Sequence, residues 1–267
     1  MGPKGKVTDS GVRQAVQRRA GKAAIGHIHP HQLGHAFADE YLCTQVSFQH
    51  SCTRLRCPLH GNGRKGFAMH TRLVSFTGAK DIDGGIAFIR DKVVPILSQQ
   101  AGYRGLTASA DRGAGVLSAL SLWETEANRD ASDSAMGKSR EEGHGIIGGE
   151  LTVEVFELLV AEVDRPPVPG SGLLVTRISM DPAKVDENVA FFKNEVLPQI
   201  KAGPGFLALR NMVNRKTGQG VVGSAWANQD ALKEAAAAAQ VRRQQGVARN
   251  VTFGEVSLRE IVVADLK

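Results

Sequence analysis

Few residues in this chain are placed to do chemistry. Trp123 and Trp226 are the only two tryptophans among 267 residues, and they stand 103 positions apart. Each closes an apolar, strand-like run and opens a helix, in "VLSALSLWETEA" (116–127) and "QGVVGSAWANQDA" (219–231). An indole at such a junction can line a pocket for an aromatic molecule, or it can fill the core. Core packing is the simpler reading for both. Arg72 and Arg177 sit in similar strand contexts, "HTRLVSF" and "VTRISM", and a guanidinium can hold a carbonyl or anionic oxygen in a fixed direction. The simpler reading for these is a surface or inter-repeat ion pair. With Tyr103, these four residues form the candidate pocket set. Asp111-Arg112 and Asn214-Arg215 read as turn residues, and His144 as an exposed residue in a Gly-rich loop beyond a helix. No catalytic residue stands out.

Metal-ligand residue types cluster in the first quarter: Cys43, His50, Cys52, Cys57 and His60. Cys52 and Cys57 have a spacing that structural zinc sites use, but no second matched pair follows, so no metal is expected. The charge is also uneven. The chain carries a formal +6, yet residues 1–68 hold ten Lys+Arg against three Asp+Glu, and the rest is near neutral. Such asymmetry is a mark of a nucleic-acid-binding arm or of a sequence with a separate origin. Residues 1–68 are therefore read as a basic, Cys- and His-containing segment, poorly ordered or a remnant of another protein. No apolar run reaches the ~20 residues of a membrane span. The basic start lacks the compact apolar stretch of a secretory signal, and a cytoplasmic location is expected.

Within that segment, "HPHQLGHAFADEYL" resembles a conserved box of the tyrosine recombinases (phage integrases), with Pro30, His31, Leu33, His35, Phe37 and Ala38 matching. The family's phosphate-holding arginine is Gly34 here, and no tyrosine sits in a matching context for the nucleophile. The expectation is a degenerate motif at His31 and His35, with nucleic acid not a partner of the intact protein.

The elements that must position the candidate pocket come in duplicate. "VVPILSQQAGYRGL" (93–106) aligns without a gap with "VLPQIKAGPGFLAL" (196–209), pairing Pro95 with Pro198, Gly102 with Gly205, and Tyr103 with Phe206. Arg140 meets Arg243, and Gly143 meets Gly246, at the same offset of 103. A two-residue shift in the opening strands pairs Arg72 with Arg177. One constant offset over this length marks an internal repeat, 69–163 and 170–267, joined by the proline-rich "DRPPVPGSG". In each copy a strand precedes a helix with apolar residues at three- and four-residue spacing (Ile86, Ile89, Val93, Ile96; Val189, Phe192, Val196, Ile200). A glycine-bearing hairpin, a second helix (about 126–142 and 228–245) and a last strand follow. The "EAAAAA" run at 234–239 is a strong helix former. The fold class expected is α+β: two tandem ferredoxin-like βαββαβ repeats that cover each other's open sheet faces as a pseudo-dimeric α+β barrel.

The strand-one pattern, the proline-bearing helix end with its Gly-Tyr or Gly-Phe exit, and the tryptophan entry to helix two resemble the antibiotic biosynthesis monooxygenase-like group of dimeric α+β barrels. That resemblance implies a small, aromatic substrate and cofactor-independent oxygenation, with self-association of the repeats and further homo-oligomerisation as partner expectations. The haem-degrading branch of the group implies a histidine on helix two, which neither copy supplies, so no cofactor is expected. The alternatives are a non-catalytic ligand-binding or assembly module and, for residues 1–68, an inactive DNA-binding remnant.

Overall fold

The computed structural model describes residues 69–266, so the readings made on residues 1–68, including His31, His35 and the cysteines, lie outside the described residues. The first copy comprises β1 (Met69–Thr77), α1 (Ile82–Phe88), α2 (Val94–Ser98), β2 (Tyr103–Asp111), β3 (Val116–Trp123), α3 (Glu126–Ile147) and β4 (Glu150–Val163). The second comprises β5 (Gly172–Ser179), α4 (Val185–Phe191), α5 (Leu197–Lys201), β6 (Phe206–Val213), β7 (Gln219–Trp226), α6 (Gln229–Val247) and β8 (Thr252–Leu266). A π-helical turn, Ile89–Val93 or Phe192–Val196, joins α1 to α2 and α4 to α5. Each pair therefore acts as one interrupted helix, and the order is βαββαβ twice. No helix among the described residues is long and apolar enough to cross a membrane.

The π turns follow from the prolines. Pro95 and Pro198 lack an amide donor, and their rings crowd the carbonyl four residues back, so an α-helix cannot run through them unchanged. Both helices widen just upstream of the proline, with Val94 N–H reaching the Ile89 carbonyl and Leu197 N–H the Phe192 carbonyl. Gly102 and Gly205 then make the sharp exit at φ 72° and 77°. A side chain at Gly205 would also strike Ala231 Cβ at 2.9 Å.

The eight strands close into one barrel in the order β1-β3-β2-β8-β5-β7-β6-β4. Every neighbouring pair is antiparallel, including the two seams between copies, β2 with β8 and β4 with β6. Closure leaves no unpaired sheet edge. Strand alternation sends one set of side chains into the barrel and the other out against the helices. Leu73, Phe156, Val175, Met212 and Val221 pack together in the interior. Two outer cores lie between sheet and helices, around Trp123 in the first copy and Trp226 in the second.

Register corrects the expected pairing of the two arginines. Arg72 lies opposite Ser121 and Leu174 lies opposite Ser224, and these serines are counterparts at offset 103. Arg72 therefore corresponds to Leu174, and Arg177, opposite Val221, corresponds to Ser75, opposite Ser118. A slip of an odd number of residues moves a side chain to the other face of a strand. Arg72 faces the helices, whereas Arg177 faces the barrel interior. A second correction concerns His144. Helix α3 continues to Ile147, so His144 belongs to its last turn, where Nε2 meets the Gly149 carbonyl at 2.9 Å.

Candidate functional site: the second sheet–helix cavity

Both tryptophans are sealed. Trp123 and Trp226 are 0% and 1% exposed. Their indole N–H groups donate to Ser121 Oγ at 2.9 Å and Ser224 Oγ at 3.0 Å. Tyr103 and Phe206 meet them edge-on at 5.6 and 5.7 Å between ring centroids. Neither tryptophan lines any of the three cavities described below. Tyr103 is buried and donates from its hydroxyl to Asp265 Oδ2 at 2.8 Å, across the β2–β8 seam. Burial first, and that hydrogen bond second, push its ionisation well above the usual tyrosine range.

In each copy a cavity opens between the sheet and the helices, at equivalent positions. The first measures about 60 Å³ and is lined by Arg72, Phe76, Phe88, Leu106, Met136 and Arg140, among others. Its charges are settled. Arg72, 6% exposed, donates to Ser132 Oγ at 2.9 Å and to the Arg129 carbonyl at 2.8 Å, and pairs with Asp133 at 3.1 Å. Arg140 pairs with the same Asp133 oxygen at 2.7 Å. The hydrogen bond from Arg140 is the main reason the Asp133 carboxyl lies below the ordinary aspartate range. Burial pulls Arg72 downward, and Asp133 opposes that shift.

The second cavity, about 110 Å³, is larger because of named substitutions. Where α3 has Met136, α6 has Ala239, and where α3 has Ser132 and Asp133, α6 has Ala235 and Ala236. Arg243, the counterpart of Arg140, has lost its carboxylate. The atoms Arg243 Nη1 and Asn211 Oδ1 are buried at the cavity without a hydrogen-bond partner. Asn211 is 3% exposed and replaces Ala108 of the first copy; Asn188 replaces Gly85. Burial, then repulsion from Arg243, pulls the neighbouring Arg242 guanidinium down. Apart from Thr176 and Ser224 the remaining wall is apolar, with Ile178, Val189, Phe191, Phe192 and Phe253 prominent. An apolar chamber with a few convergent polar groups is the usual form of a small-molecule site.

The fifth pocket candidate, Arg177, lies elsewhere. It lines a third cavity, inside the barrel, and donates to Glu154 Oε1 at 2.6 Å on β4 of the other copy. The structure thus divides the five predicted residues. Arg72 lines the first outer cavity, Arg177 the interior, and the three aromatics are core. Asn211, Asn188 and Ala239 were missed in the sequence reading. Their signal was the comparison of the copies position by position, in which a polar or missing side chain faces an apolar one.

No protein-family model matches the chain. It is similar to two uncharacterised Mycobacterium tuberculosis proteins. Rv2557 is 29% identical over 171 residues, covering 64% of this chain and 76% of the relative. Rv2558 is 29% identical over 157 residues, covering 59% and 66%. Among solved structures, a candidate monooxygenase from Fusobacterium nucleatum superposes with TM-score 0.58 at 12% identity, covering 75% of this chain and 95% of that one. An anthrone oxidase-like protein superposes with TM-score 0.54 at 16% identity, covering 75% and 93%. At these identities the likeness establishes the fold: a ferredoxin-like α+β architecture found in monooxygenase-like proteins.

Haem, which the haem-degrading branch would bring, does not fit the residues present. Helix α6 carries no histidine, and on α3 His144 is exposed, stacked on Phe76 and turned to the Gly149 carbonyl.

Proposed function

We propose that the second sheet–helix cavity binds a small aromatic molecule bearing oxygen substituents, and that the chain acts on it as a cofactor-independent monooxygenase-like protein. The observation that carries this reading is the pair of unpartnered polar atoms, Arg243 Nη1 and Asn211 Oδ1, in an apolar chamber. Leaving such groups buried costs about 1–3 kcal/mol each, which a ligand supplying an oxygen to Arg243 and a hydroxyl to Asn211 would recover. The monooxygenase-like fold supports the choice of chemistry.

The residues suggest the following division of labour. Arg243 donates to the ketone oxygen of a substrate whose ring-flanked CH₂ is acidic, and so favours its enolate in a low-dielectric site. Asn211 accepts from a ring hydroxyl and fixes the orientation. The phenyl rings of Phe191, Phe192 and Phe253 hold the substrate's faces and leave its CH₂ open to water at the cavity mouth. The C–H proton leaves to solvent, the carbanion reduces and adds dioxygen, and the hydroperoxide loses water to give a new ketone. One dioxygen is consumed and one water released per turnover.

One observation favours binding without turnover. Among the residues lining this cavity there is no Asp, Glu or His to serve as general base. Both readings meet the same experiment: titration of the full chain with a panel of hydroxylated anthrones and quinols, followed by oxygen uptake with any compound that binds. The expected result is saturable binding that Arg243→Met weakens at least 10-fold, with oxygen consumption matching ketone formation. Binding without oxygen consumption would favour the carrier reading, and a panel that does not bind at all would remove both.

A further inference from the structure

The barrel interior holds charges that neither the fold nor the outer cavity explains. A cavity of about 70 Å³ is lined by Arg177, Arg210 and Arg259, together with the hydroxyls of Thr107, Ser109 and Ser118. Arg177 is neutralised by Glu154. Arg259 is 8% exposed; its Nε donates to Ser257 Oγ at 2.9 Å and its Nη1 to Ser118 Oγ at 2.8 Å. Arg210 donates from Nη1 to Thr107 Oγ1 at 3.1 Å. Neither Arg210 nor Arg259 forms an ion pair among the described residues. Burial alone pushes Arg210 down to about 10, and burial is the first cause lowering Arg259, opposed only at a distance by Glu255 and Asp111.

We propose that the barrel interior is a binding site for a small oxyanion, held by the Arg210 and Arg259 guanidiniums and the surrounding hydroxyls. Two guanidiniums on one cavity retain several free N–H donors, and a guanidinium is shaped for carboxylate or phosphate oxygens. The space suits it: one water needs only about 10–15 Å³ by the same measure, so an anion of four or five heavy atoms can enter. Both arginines belong to the second copy, and two of the three hydroxyls they reach, on Thr107 and Ser118, belong to the first. A bound anion would therefore tie the copies together and stabilise the folded chain in proportion to its occupancy.

The test is thermal unfolding of the full chain in inorganic phosphate, acetate or chloride at equal ionic strength. Phosphate or acetate should raise the transition temperature saturably by a few degrees, the stronger of the two naming the ligand class, while chloride should not. Arg210→Met should abolish the response and, without the anion, unfold at a temperature no lower than the parent's, because a half-buried charge without an ion-pair partner has been replaced by apolar surface. Arg243→Met should leave the response intact. Absence of a saturable rise, its persistence in Arg210→Met, or its loss in Arg243→Met would each overturn the proposal. Should Arg210→Met not fold, crystals of the parent chain soaked in selenate decide instead. An anomalous peak beside Arg210 and Arg259 supports the site, and none there refutes it.

Discussion

Arg72 and Arg243 show how one residue type takes opposite roles in two copies of a fold. Arg72 spends its donors on Ser132, the Arg129 carbonyl and Asp133, and in doing so fastens α3 to β1. Arg72→Met should cost about 2 kcal/mol in urea unfolding, since it strands buried acceptors, and should leave ligand binding in the second cavity unchanged. Asn211 should behave in the reverse way. Asn211→Leu removes an unpartnered buried amide and should stabilise the protein by about 1 kcal/mol in the same assay, while weakening ligand binding at least 10-fold. A residue that lowers stability in place and raises it when removed is one retained for binding.

At the scale of elements, α3 and α6 are the same helix in two editions. Helix α3 fills its cavity with Met136 and pairs Arg140 with Asp133, whereas α6 offers Ala239 and Ala236 at those places. Restoring the first edition in the second tests whether the alanines create the site. Ala239→Met and Ala236→Asp should each keep or raise the transition temperature and each reduce ligand binding at least 10-fold, by filling the chamber and by pairing Arg243 respectively. The elements themselves were legible in the sequence: the offset of 103, the duplicated order and the tryptophan junctions all reappear in the strands and helices. The π turns were not, because a proline in a helix announces a break without saying how the break is absorbed. The extra turn of α3 was hidden by Gly143 and Gly145, which read as loop residues but here belong to the helix. The matching of Arg72 with Arg177 rested on residue identity, and only the pairing of β1 with β3 and of β5 with β7 shows them on opposite faces. The site was the least legible part. An alanine run reads first as helix propensity, and that it also empties a chamber depends on what faces it.

At the scale of the whole molecule, the two copies are joined along two seams. One carries the Tyr103–Asp265 hydrogen bond at 2.8 Å; the other carries Lys201 with Glu162 at 2.6 Å and with Asp164 at 3.2 Å. Tyr103 ionises far more readily unfolded than folded, so its contribution is complete below the ordinary tyrosine pKa of about 10 and is lost as pH rises beyond it. Tyr103→Phe should therefore be less stable than the parent by about 1 kcal/mol at pH 8, and the two stabilities should become equal at about pH 11, above which the parent becomes the less stable. Because both copies complete one closed sheet, tryptophan fluorescence and far-ultraviolet circular dichroism should report a single coincident transition.

The covalent join between β4 and β5, with Pro167 tucked against the barrel interior, has an evolutionary consequence. In a barrel assembled from two identical chains, every substitution occurs twice. An arginine set such as Arg177, Arg210 and Arg259 would be doubled inside one small space, and an alanine that hollows one chamber would hollow both. A single gene encoding both halves frees each from copying the other. One half can then specialise as a filled, stable frame while its sibling accumulates the costly, unpaired groups that ligands require.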